Sequence, residues 1–339
     1  MKEFRRLVVA GVVIASITLS LFLLRSQSTS TPDYQVMAQV AGAPEIIITI
    51  PSGATGSAIA RILFDQGVTK SVSAYFKVAV ADPRSQKVAP GSHRLTQKIA
   101  AKQALDQLLD PTRIPNLLKV FEGQWISEIA TSLQDIGFSK SEINKAFSNA
   151  VLPKGFTTIE GLLFPAQYSF ASDVTASQIA QSMVDRFRQD ASGRDLISAQ
   201  SEFSAQELLT IASIVQAEGK VQDFKQVSRV IYNRIALGMP LQMDSTVHFI
   251  KKVRGSIFLS TQSTLINSPY NTYKNRGLPP GPIGNPGALA ISAAMNPTPG
   301  DWLYFITVAP SDTRFTSSFD QFNIWKALYI KNRKAGAFK

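Results

Sequence analysis

LLTIASIVQAEGKVQDFKQVSRVIYNRIALGMPLQMD, residues 208–244, is the stretch on which the reading of this chain turns. Ser204 followed three residues later by Glu207 is a capping box, so a helix starts here. On it Leu208, Ile211, Val215 and Glu218 succeed one another at steps of three, four and three, the spacing of one helix face. The first three are apolar and the last is a carboxylic acid, so a core-facing stripe ends in an ionisable group. Gly219 follows at once and ends the helix, which puts Glu218 at its C-terminal end. Burial and the negative end of the helix dipole both disfavour the carboxylate, and that is how a general acid keeps its proton near neutral pH. An exposed last-turn glutamate, or a buried one paired with Arg229 or Arg234, would satisfy the same pattern. A second helix follows, with Val227, Val230, Ile231 and Ile235 on its apolar face and Gly238 as its cap. Pro240 to Asp244 is a turn, and Asp244 heads Ser245-Thr246-Val247.

Composition narrows the chemistry. With 339 residues, 45% hydrophobic and 17% charged, the chain has room for two or more domains with real cores. A net charge of +11 suits a polyanionic setting: nucleic acid, anionic lipid or an anionic wall polymer. No nucleic-acid motif accompanies it, so no nucleic-acid partner is expected. The absence of cysteine removes thiol nucleophiles, disulfides, thiolate zinc sites and iron–sulfur clusters. His93 and His248 are the only histidines, too few for a multi-His metal site, and both read as surface or ordinary hydrogen-bonding residues. No metal or cofactor is expected, and acid–base work falls on carboxylates.

The N-terminus carries Lys2, Arg5 and Arg6, and residues 7–24 then run for eighteen positions without a charge. At the helical rise that is about 27 Å, close to a bilayer core. A cleaved signal peptide would have a shorter apolar run and a nearby small-x-small site; here Arg25 follows, and Ala41-Gly42-Ala43 lies too far on. An uncleaved anchor in the inner or plasma membrane is expected, with residues 1–6 cytoplasmic and the remainder outside. Residues 25–44, Ser/Thr/Gln/Ala-rich, read as a linker.

An internal repeat fills residues 45–140. Ile50-Pro51-Ser52-Gly53, then Ile59-Ala60, Leu63 and Gly67-Val68, recur seventy residues later as Val120-Phe121-Glu122-Gly123, Ile129-Ala130, Leu133 and Gly137-Phe138. Each copy reads as strand, glycine turn, short amphipathic helix and glycine cap. That shape is similar to LysM modules, which bind wall glycan; two unrelated hairpins with helices are the plainer alternative. Between the copies, Pro90 to Leu95 reads as a turn into a strand and Ala101 to Leu109 as a helix. Beyond them, helices are expected at Ser139–Ala150 and Thr175–Arg188, separated by a packed loop or strand at Ile159–Phe170. From Asn267 to Gly287 the chain is rich in Pro and Gly with interleaved Tyr and Asn. Such a loop is either a rigid connector or a sugar-binding surface, since aromatic faces pack on pyranose rings and amides bond hydroxyls. Ala288–Met295 reads as a helix, Trp302–Val308 as a strand and Lys326–Lys339 as a frayed basic helix.

Together these motifs resemble the MltG/YceG-like family of membrane-anchored endolytic murein transglycosylases. The resemblance rests on Glu160-Gly161-Leu162-Leu163-Phe164-Pro165, Ala212-Ser213-Ile214-Val215 leading to Glu218, and Asn233-Arg234 with Gly238-Met239-Pro240-Leu241-Gln242 and Asp244. It continues in Ser268-Pro269-Tyr270-Asn271-Thr272-Tyr273, Gly277 to Ile283, and Asn285-Pro286-Gly287. It implies an α+β fold: the transmembrane anchor, LysM-like modules, a catalytic domain over 141–330 and a basic tail at 331–339. It also implies that Glu218 is the catalytic acid of a peptidoglycan lytic transglycosylase. Asn233, Gln242, Asp244, Tyr270, Asn271, Tyr273 and Asn285 are candidates for positioning the glycan. The family usually has a further glutamate where this chain has Gln216. Its C-terminal Gly-His and Glu-His-Asn are replaced here by Thr313-Arg314, ahead of Phe315-Thr316, and Gln321-Phe322-Asn323. Peptidoglycan strands are the implied partner, with peptidoglycan synthases at the membrane as further candidates. A non-catalytic wall-binding scaffold, and a water-using muramidase with Asp223 or Asp244 as second carboxylate, are the rival functions.

Overall fold

The computed structural model describes residues 31–36, 42–51, 53–115, 117–170, 173–254 and 260–338. The anchor expected at residues 7–24 lies outside them. No helix among the described residues is long and apolar enough to cross a membrane. The chain divides into two units, one ending at Pro115 and one running from Asn116 to Lys339. Both mix helices with short antiparallel strand pairs, the α+β class expected.

In the first unit β1 (Glu45–Ile50) pairs antiparallel with β2 (Gly91–Thr96), Glu45 facing Thr96 and Ile50 facing Gly91. Ile48 and Ile50 point inward on the two-residue period of a strand. They meet Leu63 and Tyr75 from the helices Gly56–Asp65 and Val72–Ala81, and Leu105 from Ala101–Leu109.

The repeat seen in sequence has a counterpart in the elements. The helices Gly56–Asp65 and Ile126–Asp135 share bounds seventy residues apart. Gly53 and Gly123, which turn the chain into them, have φ of +75° and +76°. The unit boundary falls ahead of the second copy, so the two copies belong to different units. Their helix starts differ. Thr55 caps the first through its side chain, which accepts the Ala58 N–H. Trp125 occupies the matching position in the second and cannot accept; Glu128 takes the Trp125 N–H instead, at 2.7 Å.

The second unit is built around the helix Ala205–Glu218, started by the expected Ser204–Glu207 capping box. It packs against Ala288–Met295, Phe224–Ala236, Ala191–Ile197 and Asp244–Lys251. The one-sided stripe is corrected here: every residue from Leu208 to Val215 is buried. The faces between the stripe hold Leu209, Thr210, Ala212, Ser213 and Ile214, small or apolar all round, and such a helix sits in the middle of a core. Gly219 ends it in extended geometry (φ −111°), not in the left-handed conformation common at helix ends. A Cβ there would meet Phe224 Cδ1 at 3.1 Å, a tight contact with the next helix that glycine avoids. β3 (Leu118–Lys119) pairs with β4 (Gln167–Tyr168) inside the expected Ile159–Phe170 segment. β5 (Tyr304–Ala309) and β6 (Asp312–Thr316) form a hairpin, with the helix Phe319–Lys334 against β5.

Candidate active site

Glu218 is the last residue of the central helix, and its carboxylate Oε1 accepts the Ser245 N–H at 3.0 Å. Ser245 is the second residue of the helix Asp244–Lys251, so the acid bridges the end of one helix and the start of another. The residue keeps partial access to solvent, as an acid that must reach a substrate does. Around its carboxyl the protein is nevertheless dense. Desolvation dominates and raises its pKa, assisted by the charge of Asp244 and opposed first by Ser245 and then by His248. Among the described residues no lysine or arginine forms an ion pair with it. Arg229 donates instead to the carbonyls of Thr298 and Pro297, and Arg234 to those of Leu303 and Leu241. An acid in this setting can protonate a leaving oxygen and later take a proton back.

The turn before Ser245 is clamped by the Pro/Gly-rich loop. The Gln242 N–H donates to the Thr272 carbonyl at 3.0 Å, and the Met243 N–H to Thr272 Oγ1 at 3.0 Å. Gln242 itself has a left-handed φ of +49°. The Tyr273 hydroxyl donates to Asp244 Oδ1, and burial with that bond pushes the phenol pKa far up, so it remains a donor. Asp244 is exposed beside the acid. A cavity of about 250 Å³ opens here, lined by Trp125, Ala217, Ser245, His248, Arg254 and Ile283 among others.

A sequence profile of the YceG-like family matches residues 48–327. The chain belongs to that family. An endolytic murein transglycosylase of Bacillus subtilis is 30% identical over 308 residues, covering 84% of this chain and 85% of that protein. One from Streptococcus pneumoniae serotype 2 is 38% identical over 153 residues, 44% of this chain and 28% of the other. The crystal structure of a YceG-like protein from Listeria monocytogenes superimposes with a TM-score of 0.56 at 29% identity, covering 83% of this chain and 98% of that one.

In this YceG-like chain the residues singled out from sequence fall into two groups. Glu218, Asp244 and Tyr273 meet around the start of one helix, with the exposed Gln242 just before it. Tyr270 is half-buried and tilts against Phe249, ring centroids 5.1 Å apart. The asparagines serve the backbone. Asn233 donates to the Gly300 and Trp302 carbonyls, and Asn271, fully buried, to those of Thr264 and Ile266. Asn285 is also fully buried; its Oδ1 accepts the N–H groups of Gly161 and Leu163 while Nδ2 donates to the Gln124 carbonyl and to Glu160. In this arrangement all three amide nitrogens donate to main-chain carbonyls. Gln216 accepts the Gly287 N–H at 3.0 Å. Thr313, Arg314 and Phe315 lie on β6, with Arg314 paired to Asp312 at 2.6 Å.

No sequence pattern singles out Trp125 or Arg254, while His248 reads only as a surface or ordinary hydrogen-bonding residue and Glu160 only as part of its motif. Glu160, the first residue of its Glu-Gly-Leu-Leu-Phe-Pro motif, is 5% exposed and accepts the Ile126 N–H at 3.0 Å, capping the second-copy helix. Burial raises its pKa from 4.5 to about 7, against the Ile126 N–H and the charges of Lys252 and Arg254. The folded protein therefore holds a proton that the unfolded chain releases near pH 4.5. The stability tied to neutral Glu160 is complete below that pH and is lost as pH rises through about 7, on the order of 3 kcal/mol. Glu160→Gln should flatten this slope when urea stability is compared at pH 4.5 and pH 8; an unaltered slope would mean that Glu160 ionises as an ordinary surface acid.

Proposed function

We propose that this chain is a peptidoglycan lytic transglycosylase that cuts glycan strands internally at the β-1,4 bond between N-acetylmuramic acid and N-acetylglucosamine. The observation that carries the reading is a partly accessible carboxylic acid, Glu218, whose pKa is raised by burial and whose position is held by Ser245 next to a cavity. The endolytic murein transglycosylases among its relatives support the same reaction class.

The reaction makes few demands, and this site fits them. Ordinary glycosidases use two carboxyl groups across the bond. In lytic cleavage the 6-hydroxyl of the muramic residue attacks its own anomeric carbon and leaves a 1,6-anhydro ring. Glu218 protonates the departing glycosidic oxygen, and as a carboxylate then accepts the proton of the attacking hydroxyl, so proton balance closes on one group. Intramolecular attack provides the effective concentration that a second catalytic group and a water would otherwise supply. Asp244, kept in place by the Tyr273 hydroxyl, offers negative charge to the oxocarbenium-like transition state.

Residues 7–24 act as a single-pass anchor in this proposal, residues 25–44 as the tether and the LysM-like copies as glycan contacts. Cleavage then falls on nascent strands close to the membrane and ends their elongation, with synthases as neighbours. A hydrolytic reading has one observation in its favour, the exposed carboxylate of Asp244 beside Glu218. Mass spectrometry of products from purified strands separates the two. Anhydro ends are expected; reducing ends, about 18 Da heavier through the water retained, would replace the lytic reading by the hydrolytic one. Strand binding without any new ends would leave a scaffold.

A further inference from the structure

Two cations and two aromatic rings cluster next to the cavity beside Glu218, and one of each, Arg254 and Trp125, lines it. The Arg254 guanidinium lies 3.7 Å from the centroid of the Trp125 ring. The Lys252 ammonium lies 3.6 Å from that of Phe249 and 5.3 Å from that of Trp125. The two rings meet edge to face at 6.1 Å, and Trp125 and Arg254 both line the cavity. Cations over ring faces are attracted by the ring quadrupole, which holds them in place without neutralising them.

The cations differ in what they have left to give. Arg254 donates from Nε and Nη2 to Glu128 at 2.9 and 2.6 Å, and from Nη2 to the Gly123 carbonyl at 2.7 Å. Glu128 is committed as well, through the Trp125 N–H. Arg254 is thus neutralised and fixed. Lys252 makes no ion pair among the described residues. Lys252 is the cation of the two that no carboxylate holds in an ion pair. Lys252 also sits in the left-handed conformation, φ +54°, at the end of the helix Asp244–Lys251. Glycine or asparagine is the undemanding choice there, so a lysine bears a conformational cost. Lys252 is exposed, so its ammonium stays within reach of a ligand; the packing of the rings around it lowers its pKa, against the charges of Glu160 and Glu128. The nearest acids, Glu160 and Glu128, are bonded to backbone amides and, for Glu128, to Arg254.

We propose that Lys252, backed by the Arg254–Glu128 pair on the Trp125 and Phe249 rings, forms a subsite that grips a carboxylate carried by the glycan strand. The proposal rests on the function proposed above. An ammonium offers three donors and a point charge, while the rings offer apolar faces to sugar C–H groups; the wall suits a sugar bearing an acid. Two sources share that chemistry: the carboxylates of a stem peptide, and the lactyl acid of a muramic residue from which the peptide has been removed.

Three substrates distinguish them: peptide-bearing strands, strands stripped of peptide, and strands whose carboxylates are converted to neutral amides. Lys252→Asn removes the charge and tolerates the left-handed backbone; Lys252→Arg restores the charge. Lys252→Asn is expected to raise KM about tenfold on the strands whose carboxylate is read, with kcat within about twofold of the parent. Lys252→Arg should recover most of the loss, and neutral strands should bind parent and variant alike. Whichever of the first two substrates shows the effect names the source. The same comparison of Kd in a Glu218→Gln background reads the subsite even if no cleavage occurs, so failure of the proposed reaction and failure of the subsite are told apart. Equal affinity of parent and Lys252→Asn for all strands, or an equal loss on neutral strands, overturns the proposal.

Discussion

Glu218→Gln is expected to lower release of anhydro ends by about 10³-fold or more, because one group serves as both acid and base. The substitution is close to isosteric, and a glutamine oxygen can still accept the Ser245 N–H that the carboxylate accepts at 3.0 Å. Stability should move the other way. Burial raises the Glu218 pKa, so its neutral form is the one the fold favours. The stability attached to that form is complete below the unfolded pKa and is lost as pH rises through the folded one. Where Glu218 is ionised the wild type carries a penalty that glutamine lacks, and the variant should unfold at an equal or higher temperature. Wild-type activity should likewise fall on the alkaline side as Glu218 gives up its proton. Inactivity without destabilisation is the signature of a chemical role. Wild-type product levels from the variant would reject Glu218, and a large fall in melting temperature would make it a structural residue.

Asn285→Ala carries the largest expected cost to the fold, about 3–5 kcal/mol. The side chain is fully buried and binds four groups: the Gly161 and Leu163 N–H groups, the Gln124 carbonyl and the Glu160 carboxyl. Its backbone adds two more bonds, accepting from Gly123 at 2.7 Å and donating to Gln124 at 2.9 Å. Removing the amide strands two buried N–H groups that water cannot reach, and each lost partner costs the desolvation of the group left behind. Asn285→Asp keeps the acceptor oxygen for Gly161 and Leu163 but sets a second carboxyl against Glu160, so it should fall between parent and alanine. Urea unfolding of the three proteins tests the ranking; an alanine variant within 1 kcal/mol of the parent would show that the loop stands without this hub.

The helix that carries Glu218 was readable because its signals are local. Ser204 and Glu207 start it, Gly219 ends it, and side-chain spacing sets which way the acid faces. Its burial on every side is not legible in the stripe alone, because Leu209, Ala212 and Ile214 occupy the remaining faces. The cavity wall could not be read at all. Arg254 meets Glu128 across 126 positions of sequence, and nothing in either neighbourhood announces the other. The asparagines show a subtler limit. Tyr and Asn interleaved with Pro and Gly suit a sugar, but a loop without regular hydrogen bonding also has carbonyls and amides to satisfy, and buried asparagine side chains do that work. Asn271 and Asn285 took that role, while Tyr273 and Asp244 stayed together by the acid.

The two copies of the strand–turn–helix repeat now separate on a different ground. The first starts its helix with its own threonine and depends on nothing beyond its own few residues for that step. The second replaced the threonine with Trp125, whose indole faces the cavity, and its first free N–H is taken by Glu160 from a loop more than thirty residues on. Its helix start has become property of the whole unit. The first copy caps its own helix; the second forms part of the cavity wall, and the first copy's sequence in its place would remove both the Trp125 ring from the platform and a helix start fitted to Glu160.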